Sequence, residues 1–328
     1  MPVHKLSIRI ATYSLRYDSK PDNITVEQTL ESLSDPMTAP KYMRKSGEQP
    51  WSTRRIKIWQ TLVGEGVVLF GIQEGLTRQV HDLATLLGDD WDWVGVGRDD
   101  GKEAGEYNAI FYNKKIIDLR EWDTFWLSST PFELSRSNGS RKNRICTVAR
   151  LAIKTQTGTI PFSLLNTHLD HKSDDARQLG ASLVLQRARF EAFHAQGAPV
   201  VVIGDFNSPP AGKHAAAYEI ATGTRAPVHL NATFAHRLAV PEGTLEDFKL
   251  QDMRGETPRA KVVGNFATSF PFDDPDNTSK WSRIDFIFGG SNGEWKSTLY
   301  KVGTSLTDDG VFASDHHPVF VDVTLRDK

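Results

Sequence analysis

The chain has 328 residues, 39% of them hydrophobic and 24% charged, with 39 Lys plus Arg against 41 Asp plus Glu and a single cysteine. Such a chain buries a large core without staples, as two ordinary domains or one large one. The near-even charge supplies no global basic field for gripping long nucleic acid, and the lone Cys146 excludes an intramolecular disulfide and a thiolate zinc cage.

In chain order, alternation of apolar and polar residues predicts a first strand over 6–12, with none of the apolar run that marks a signal peptide. No stretch approaches the ~18 apolar residues of a membrane span. A cytoplasmic home is the default expectation, and the chain is expected to be a monomer. A loop-rich stretch over 17–50 leads into a helix over 53–64, a strand over 67–73, a helix over 75–87 and strands over 91–96, 107–112 and 122–127. A second loop-rich stretch, 128–144, precedes strands over 145–153 and 160–167. The helix over 173–195 has Leu179, Leu183, Leu185 and Phe190 on its apolar side, with Arg177, Arg187 and Arg189 elsewhere. A strand over 200–204, a helix over 213–221, a third loop-rich stretch over 253–280 and strands over 284–288 and 319–323 complete the reading. Many strands with helices after only some of them argue for mixed sheets with outer helices. No repeat or linker divides the chain, so one domain over 1–328 is expected.

Trp91, Trp93, Trp122 and Trp126 alternate at strand spacing and are expected in the core. Trp51, Phe270, Phe272 and Trp281 lie in or beside loops, where they either anchor the loop or stack on a base or sugar. No helix follows Gly95-Val-Gly-Arg-Asp-Asp-Gly101, so it reads as a hairpin-like connection rather than a phosphate-binding glycine loop.

Chemically capable residues recur at the ends of apolar strands. Glu74 follows one, Asp205 and Asn207 end another, and His168, Asp170 and His171 end a third. Asp285 sits inside an apolar run, and Asp315 and His316 precede the last strand. A buried carboxylate needs a partner or a cation. Each acid alone reads equally well as a turn cap, but an oxygen-rich set without thiolates suits a hard cation such as Mg²⁺ or Mn²⁺.

Seven ordered segments carry a family resemblance: Ile10-Ala-Thr-Tyr-Ser-Leu-Arg16, Gly71-Ile-Gln-Glu74, Gly105-Glu-Tyr-Asn-Ala-Ile-Phe-Tyr112, Asn166-Thr-His-Leu-Asp-His171, Gly204-Asp-Phe-Asn207, Arg283-Ile-Asp-Phe-Ile-Phe288 and Ser314-Asp-His-His-Pro-Val319. The chain resembles the endonuclease/exonuclease/phosphatase superfamily of DNase I-like proteins, and within it members with Gly-Glu-x-Pro-Trp, here Gly47-Glu-Gln-Pro-Trp51. The resemblance implies a four-layer α/β/β/α sandwich, two packed mixed β-sheets with outer helices. It further implies a divalent-metal-dependent hydrolase of phosphodiesters or phosphomonoesters, with Mg²⁺ as cofactor and Mn²⁺ as substitute. Its substrate would be a phosphate ester, with nucleic acid and nucleotides among the candidates.

Carried over by position, Glu74 would be the principal metal ligand and Asp315 would help hold the ion. Asp205 would orient or deprotonate the attacking water, and Asn207 would position it or hold a phosphate oxygen. His316, paired with Asp285, would stabilise charge on phosphorus, and His168 would donate to a phosphate oxygen. Tyr107 and Asn108 stand where another phosphate contact is expected. The first motif departs from the family pattern, with Ser14 where Asn is usual. Ser14 offers only a short hydroxyl to the metal region. Two rivals stand beside this reading: a binding protein that kept the fold and lost the chemistry, and a dinuclear zinc hydrolase built on His168-Leu-Asp170-His171, for which Asn166 stands where a histidine is needed.

Overall fold

Alternate residues of the apolar run near 200 go to different cores: Val201 and Ile203 join a cluster between two sheets, while Val200 and Val202 join a cluster beneath helices. Burial on both faces is why such a run reads as continuously hydrophobic. The computed structural model describes residues 7–33 and 47–325. It contains two mixed sheets. The first runs in the order β10 (Val262–Gly264), β12 (Trp295–Val302), β13 (Val319–Leu325), β1 (Ser7–Ser14), β2 (Leu69–Gln73), β4 (Ile110–Asn113), β3 (Trp91–Val94). The second runs β5 (Ile117–Trp126), β6 (Ile145–Lys154), β7 (Thr159–His168), β8 (Val200–Asp205), β11 (Asp285–Gly290), β9 (Leu250–Asp252).

The sheets face each other across a cluster that includes Ile10, Leu69, Leu151, Leu164, Ile203 and Val321. On the outer face of the first sheet, α2 (Trp51–Gly64) and α3 (Thr77–Leu87) lay Ile58, Leu62, Val80 and Leu83 over Phe70 and Phe111. On the outer face of the second, α4 (Asp174–His194), α5 (Ala216–Ala221) and α6 (Ala232–Arg237) cover Val202, Phe286 and Phe288. The order of layers is therefore α/β/β/α. Two further short helices, α1 (Val26–Glu31) and α7 (Met253–Glu256), lie in the 17–50 and 253–280 stretches. Residues 34–46 of the first stretch, and residue 6 of the first expected strand, fall outside the described residues. Among the described residues no helix is long and apolar enough to cross a membrane.

Several expectations need correction. β9 and β10 are three-residue strands, too short for a periodic signal, and β12 buries Ser297 next to a register shift that breaks its alternation. α4 is buried on most of its circumference, and Arg177 and Arg187 are buried with it. Arg187 is held by Asp123 and Glu191. Trp91 and Trp93 pack beside the α3 cluster, but Trp122 is 39% exposed, because it lies just past a bulge in the edge strand β5. Trp51, Phe270 and Phe272 are buried anchors, whereas Trp281 stays exposed. The 95–101 segment does fold back on itself, with Gly97 and Arg98 amides bonding to Lys102 and Glu106 carbonyls.

Candidate active site

Strand polarity decides where the polar ends meet. β1 and β2 run parallel, so Ser14 and the residue after Gln73, Glu74, emerge at one edge. β7 and β8 also run parallel, with His168 opposite Asp205. β11 runs antiparallel to β8 and starts at Asp285, paired with Asp205, while β13 starts opposite Thr12 and brings the preceding Asp315 and His316 to the same edge as Ser14.

Buried amides clasp the sheets together beside this edge. Gln73 Nε2 donates to Asn166 Oδ1 at 2.7 Å, and Asn166 Nδ2 donates to the Ile72 and Ala109 carbonyls at 2.9 Å. Gly71 permits the approach, since a Cβ there would lie 2.6 Å from Asn166 Cγ and Ile203 Cδ1. Gly204 has φ of +138°, and a Cβ would fall 1.9 Å from the Thr167 carbonyl oxygen, so only glycine fits ahead of Asp205.

The result is one continuous cluster. Ligand atoms of Glu74, His168 and Asp205 lie within 4.8 Å of one another, and those of Asp205, Asp285 and His316 do likewise. Arg16, Glu74 and Asn207 around it have left-handed backbones (φ 60°, 62° and 47°), a strain that collects at functional sites. The Asn207 amide donates to Asp205 Oδ1 at 2.8 Å, and its Nδ2 donates to the Leu169 carbonyl at 3.1 Å and faces His168 Nε2 at 3.0 Å. His316 Nδ1 lies 2.8 Å from Asp285 Oδ2, and Thr268 Oγ1 fixes the Asp285 backbone by accepting its amide at 3.0 Å.

Burial sets the electrostatics. Burial and the nearby Asp285 push the Asp205 carboxyl up to about 8. Burial opposes charge on His316, but the contact with Asp285 outweighs it, aided by Asp205 and Asp315, and keeps the ring protonated well above the usual imidazole range. His168 shifts the other way: burial, then Arg144 and Arg98, hold it well below that range and so neutral. With Asn207 Nδ2 as donor to Nε2, the hydrogen-bond network assigns the ring proton to Nδ1, which has no partner in the protein.

Three buried oxygens at this edge also lack a protein donor: Ser14 Oγ, Asp285 Oδ1 and Asp315 Oδ1. Orphaned buried acceptors on carboxylate and hydroxyl groups are what a hard divalent cation requires, so the donor set fits Mg²⁺ or Mn²⁺. A dinuclear zinc centre fits less well. Asn166 is spent on the clasp, Asp170 accepts from the Lys172 and Ser173 amides, and His171 is exposed, with Nδ1 facing Arg144. Tyr107 and Asn108, expected as phosphate contacts, are buried with their polar ends already engaged: the Tyr107 hydroxyl donates to the Lys102 carbonyl and the Asn108 side-chain amide to the Ile145 carbonyl.

Sequence reasoning passed over a set of buried charges. Arg54, fully buried in α2, donates to the Leu15 and Ala313 carbonyls at 2.6 and 3.0 Å and so ties the segments carrying Ser14 and Asp315 to each other. Glu48 pairs with Arg54 and Arg16, at 3.6 and 3.4 Å, and Arg16 reaches Asp315 at 3.6 Å. This is the physical content of Gly47-Glu-Gln-Pro-Trp51. Arg98, Glu106 and Arg144 are a second set. Glu106 carried the signal that found Glu74, an acid beside an apolar strand, within a segment that pointed only to Tyr107 and Asn108.

A model of the endonuclease/exonuclease/phosphatase family matches residues 43–316. The chain belongs to that family. Solved structures similar to this family member include an endonuclease/exonuclease/phosphatase from Bacteroides vulgatus, 27% identical with a TM-score of 0.74, covering 98% of this chain and 100% of that one. A mannosyl-6-phosphatase from Bacteroides thetaiotaomicron is 26% identical with a TM-score of 0.68, covering 97% and 100% of the two chains. D. rerio TDP2, complexed with a single-strand DNA product, shares the fold at 15% identity and a TM-score of 0.57, covering 97% and 99%. No curated protein matches the chain.

Proposed function

We propose that this family member is a Mg²⁺-dependent phosphoesterase, with Mn²⁺ as a substitute, acting on a small phosphate ester by in-line attack of water. The observation that carries the reading is the edge cluster itself: two carboxylates and two histidines around Asp205, beside three buried oxygens that no protein donor satisfies. Glu74 and Asp315, with the Ser14 hydroxyl, would hold the ion, which when bound neutralises charge on the phosphate oxygens.

The side chains supply the remainder. Asp205, whose proton affinity is raised by burial and Asp285, takes a proton from the water as the new P–O bond forms, and a cation bound beside it would favour the ionised form that this role needs. The ester P–O bond breaks on the opposite side, and the departing oxygen is protonated from solvent. His316, held as imidazolium by Asp285, stabilises the charge that builds on the phosphoryl oxygens. Neutral His168 donates from Nδ1 to one of them, and Asn207 orients both His168 and Asp205. Tyr107 and Asn108, whose polar ends are spent on the Lys102 and Ile145 carbonyls, have no direct part in this scheme. The near-even charge and the likeness to a sugar phosphatase support a small substrate over long duplex DNA.

The test is hydrolysis of chromogenic phosphate esters by the purified chain. Activity should disappear with chelator, return with Mg²⁺ or Mn²⁺, and be abolished in Asp205→Ala and His316→Ala variants that melt normally. Near-normal turnover in both variants would overturn the assignment, and tightly bound zinc that survives dialysis would reinstate the zinc alternative.

A further inference from the structure

Beside the cluster lies a group of buried charges that the reaction above uses only to help keep His168 neutral. Arg98 forks onto Glu106, with Nη2 donating to Oε1 at 2.7 Å and Nη1 to Oε2. Arg144, only 6% exposed, is not satisfied in this way. Its Nη2 meets His171 Nδ1 at 3.1 Å, but the nearest carboxylate oxygens, on Glu106 and Asp170, stand 3.8 and 3.9 Å away, beyond hydrogen-bond reach. Asp170 already accepts from the Lys172 and Ser173 amides and from the Ser140 hydroxyl. Arg144 Nε and Nη1 are left as buried donors without an acceptor. Water-free burial of unspent guanidinium donors is costly, and a planar fork of this kind is suited to phosphate.

Position supplies the direction. Arg144 immediately precedes β6, where Cys146 pairs with Thr167, so it sits at the strand end that carries His168. His168 and Glu74 both lie within its electrostatic reach. The guanidinium is held in place: His171 anchors one end, the Arg98–Glu106 pair flanks it, and the Arg98 carbonyl is gripped by Trp126 Nε1 at 2.9 Å and Asn143 Nδ2 at 3.3 Å.

We propose that Arg144 binds a peripheral oxygen of the substrate's phosphoryl group and biases the site toward phosphomonoesters; this rests on the phosphoesterase reading. A monoester carries two negative charges and three unsubstituted oxygens. The proposed ion, His316 and His168 already engage phosphoryl oxygens, and a diester has only two unsubstituted oxygens to share among them. The oxygen left to face this enclosed guanidinium would be the one carrying the second alcohol, and the contact would be lost.

The experiment compares wild type, Arg144→Gln and Arg144→Lys on p-nitrophenyl phosphate and bis-p-nitrophenyl phosphate, and measures inorganic phosphate binding by calorimetry. Wild type should prefer the monoester. R144Q should lose roughly 10- to 100-fold in monoester kcat/KM and weaken phosphate binding by a similar factor, the range for a lost charge-assisted hydrogen bond. Its diester rate should fall by less than about 5-fold, the size of one ordinary hydrogen bond. R144K, which keeps the charge beside Glu106 and Asp170, should recover part of the loss and serves as the probe if R144Q does not fold. Equal losses on both esters, a wild-type preference for the diester, or phosphate binding unchanged in both variants would overturn the proposal. If wild type hydrolyses neither ester, the phosphoesterase reading fails, and the phosphate titration still decides whether Arg144 is an anion site.

Discussion

Replacing Asp285 by asparagine tests the charge in the Asp285–His316 pair while leaving its shape. The amide oxygen can accept from Nδ1 where Oδ2 does now, 2.8 Å away, so the ring stays oriented. Burial alone favours the neutral ring, and it is the Asp285 contact that reverses this. Without the carboxylate, His316 should therefore be deprotonated near neutral pH. Losing one preorganised donor at a charge-developing centre costs ~10²–10³ in kcat, about 3–4 kcal/mol. The loss should depend on pH in a definite direction. The imidazolium exists below the ring's pKa, and that pKa is lower in the variant, so the alkaline limb of its kcat/KM profile should move toward acid and the deficit should shrink as pH falls. The assay is turnover of a chromogenic phosphate ester at saturating Mg²⁺ from about pH 5 to about pH 9, the window in which a histidine titrates, with thermal melts to confirm folding. Asp285→Ala, which loses the acceptor as well, should fall further than Asp285→Asn. A loss of the same factor at every pH, with the alkaline limb unmoved, would show that the charge on Asp285 is not what the pair contributes.

Three other outcomes are expected. Ser14→Asn restores a longer oxygen arm beside Glu74 and should lower the Mg²⁺ concentration for half-maximal rate by about fivefold, roughly 1 kcal/mol for one added polar contact; an unchanged Mg²⁺ titration would remove Ser14 from the metal region. Glu191 is buried between Arg150 and Arg187, which donate to it at 2.8 and 2.7 Å. Burial opposes its charge, yet the two arginines hold its carboxyl below the usual range. Its stabilising effect is thus present above the unfolded value of about 4.3 and lost as pH falls through the folded one. Glu191→Gln should cost about 3–5 kcal/mol near neutral pH, with the gap to wild type closing in acid, as read by urea unfolding; equal stabilities at neutral pH would contradict this. Gly204→Ala should lose about 1–3 kcal/mol from overpacking and lose activity even well below its melting temperature, because Asp205 moves with the strand; full activity in a folded variant would refute the steric argument.

The stacking of two sheets between helices came from the family resemblance, whereas the mixed-sheet character could be read because the central strands are buried on both faces and their apolar runs are local. The same holds for Glu74, Asp205 and Asp285, since an acid placed at or within such a run is conspicuous without any knowledge of what lies opposite. β9, β10 and β12 escaped notice because short or shifted strands carry no period. Trp122 misled because alternation says which face a residue takes and not whether a helix covers that face. Arg54, Arg144 and Arg187 look like surface residues in any window of sequence. Their burial is stabilised by carbonyls and carboxylates far away in the chain, such as Ala313 for Arg54 and Asp123 for Arg187, and only the fold makes those pairings.

β1 lies between β2 and β13, bonded in parallel to one and antiparallel to the other. The first strand of the chain must therefore wait for the last to cover its open side. During synthesis, at about 5–20 residues per second, Glu74, His168 and Asp205 all emerge before Asp315 and His316 exist. A nascent chain, or one cut short before Asp315, would carry Glu74, His168 and Asp205 but lack both Asp315, a proposed ligand of the ion, and His316, the proposed imidazolium. On the proposed roles, hydrolysis would therefore wait for the segment just before β13, and a chain lacking it would be inactive.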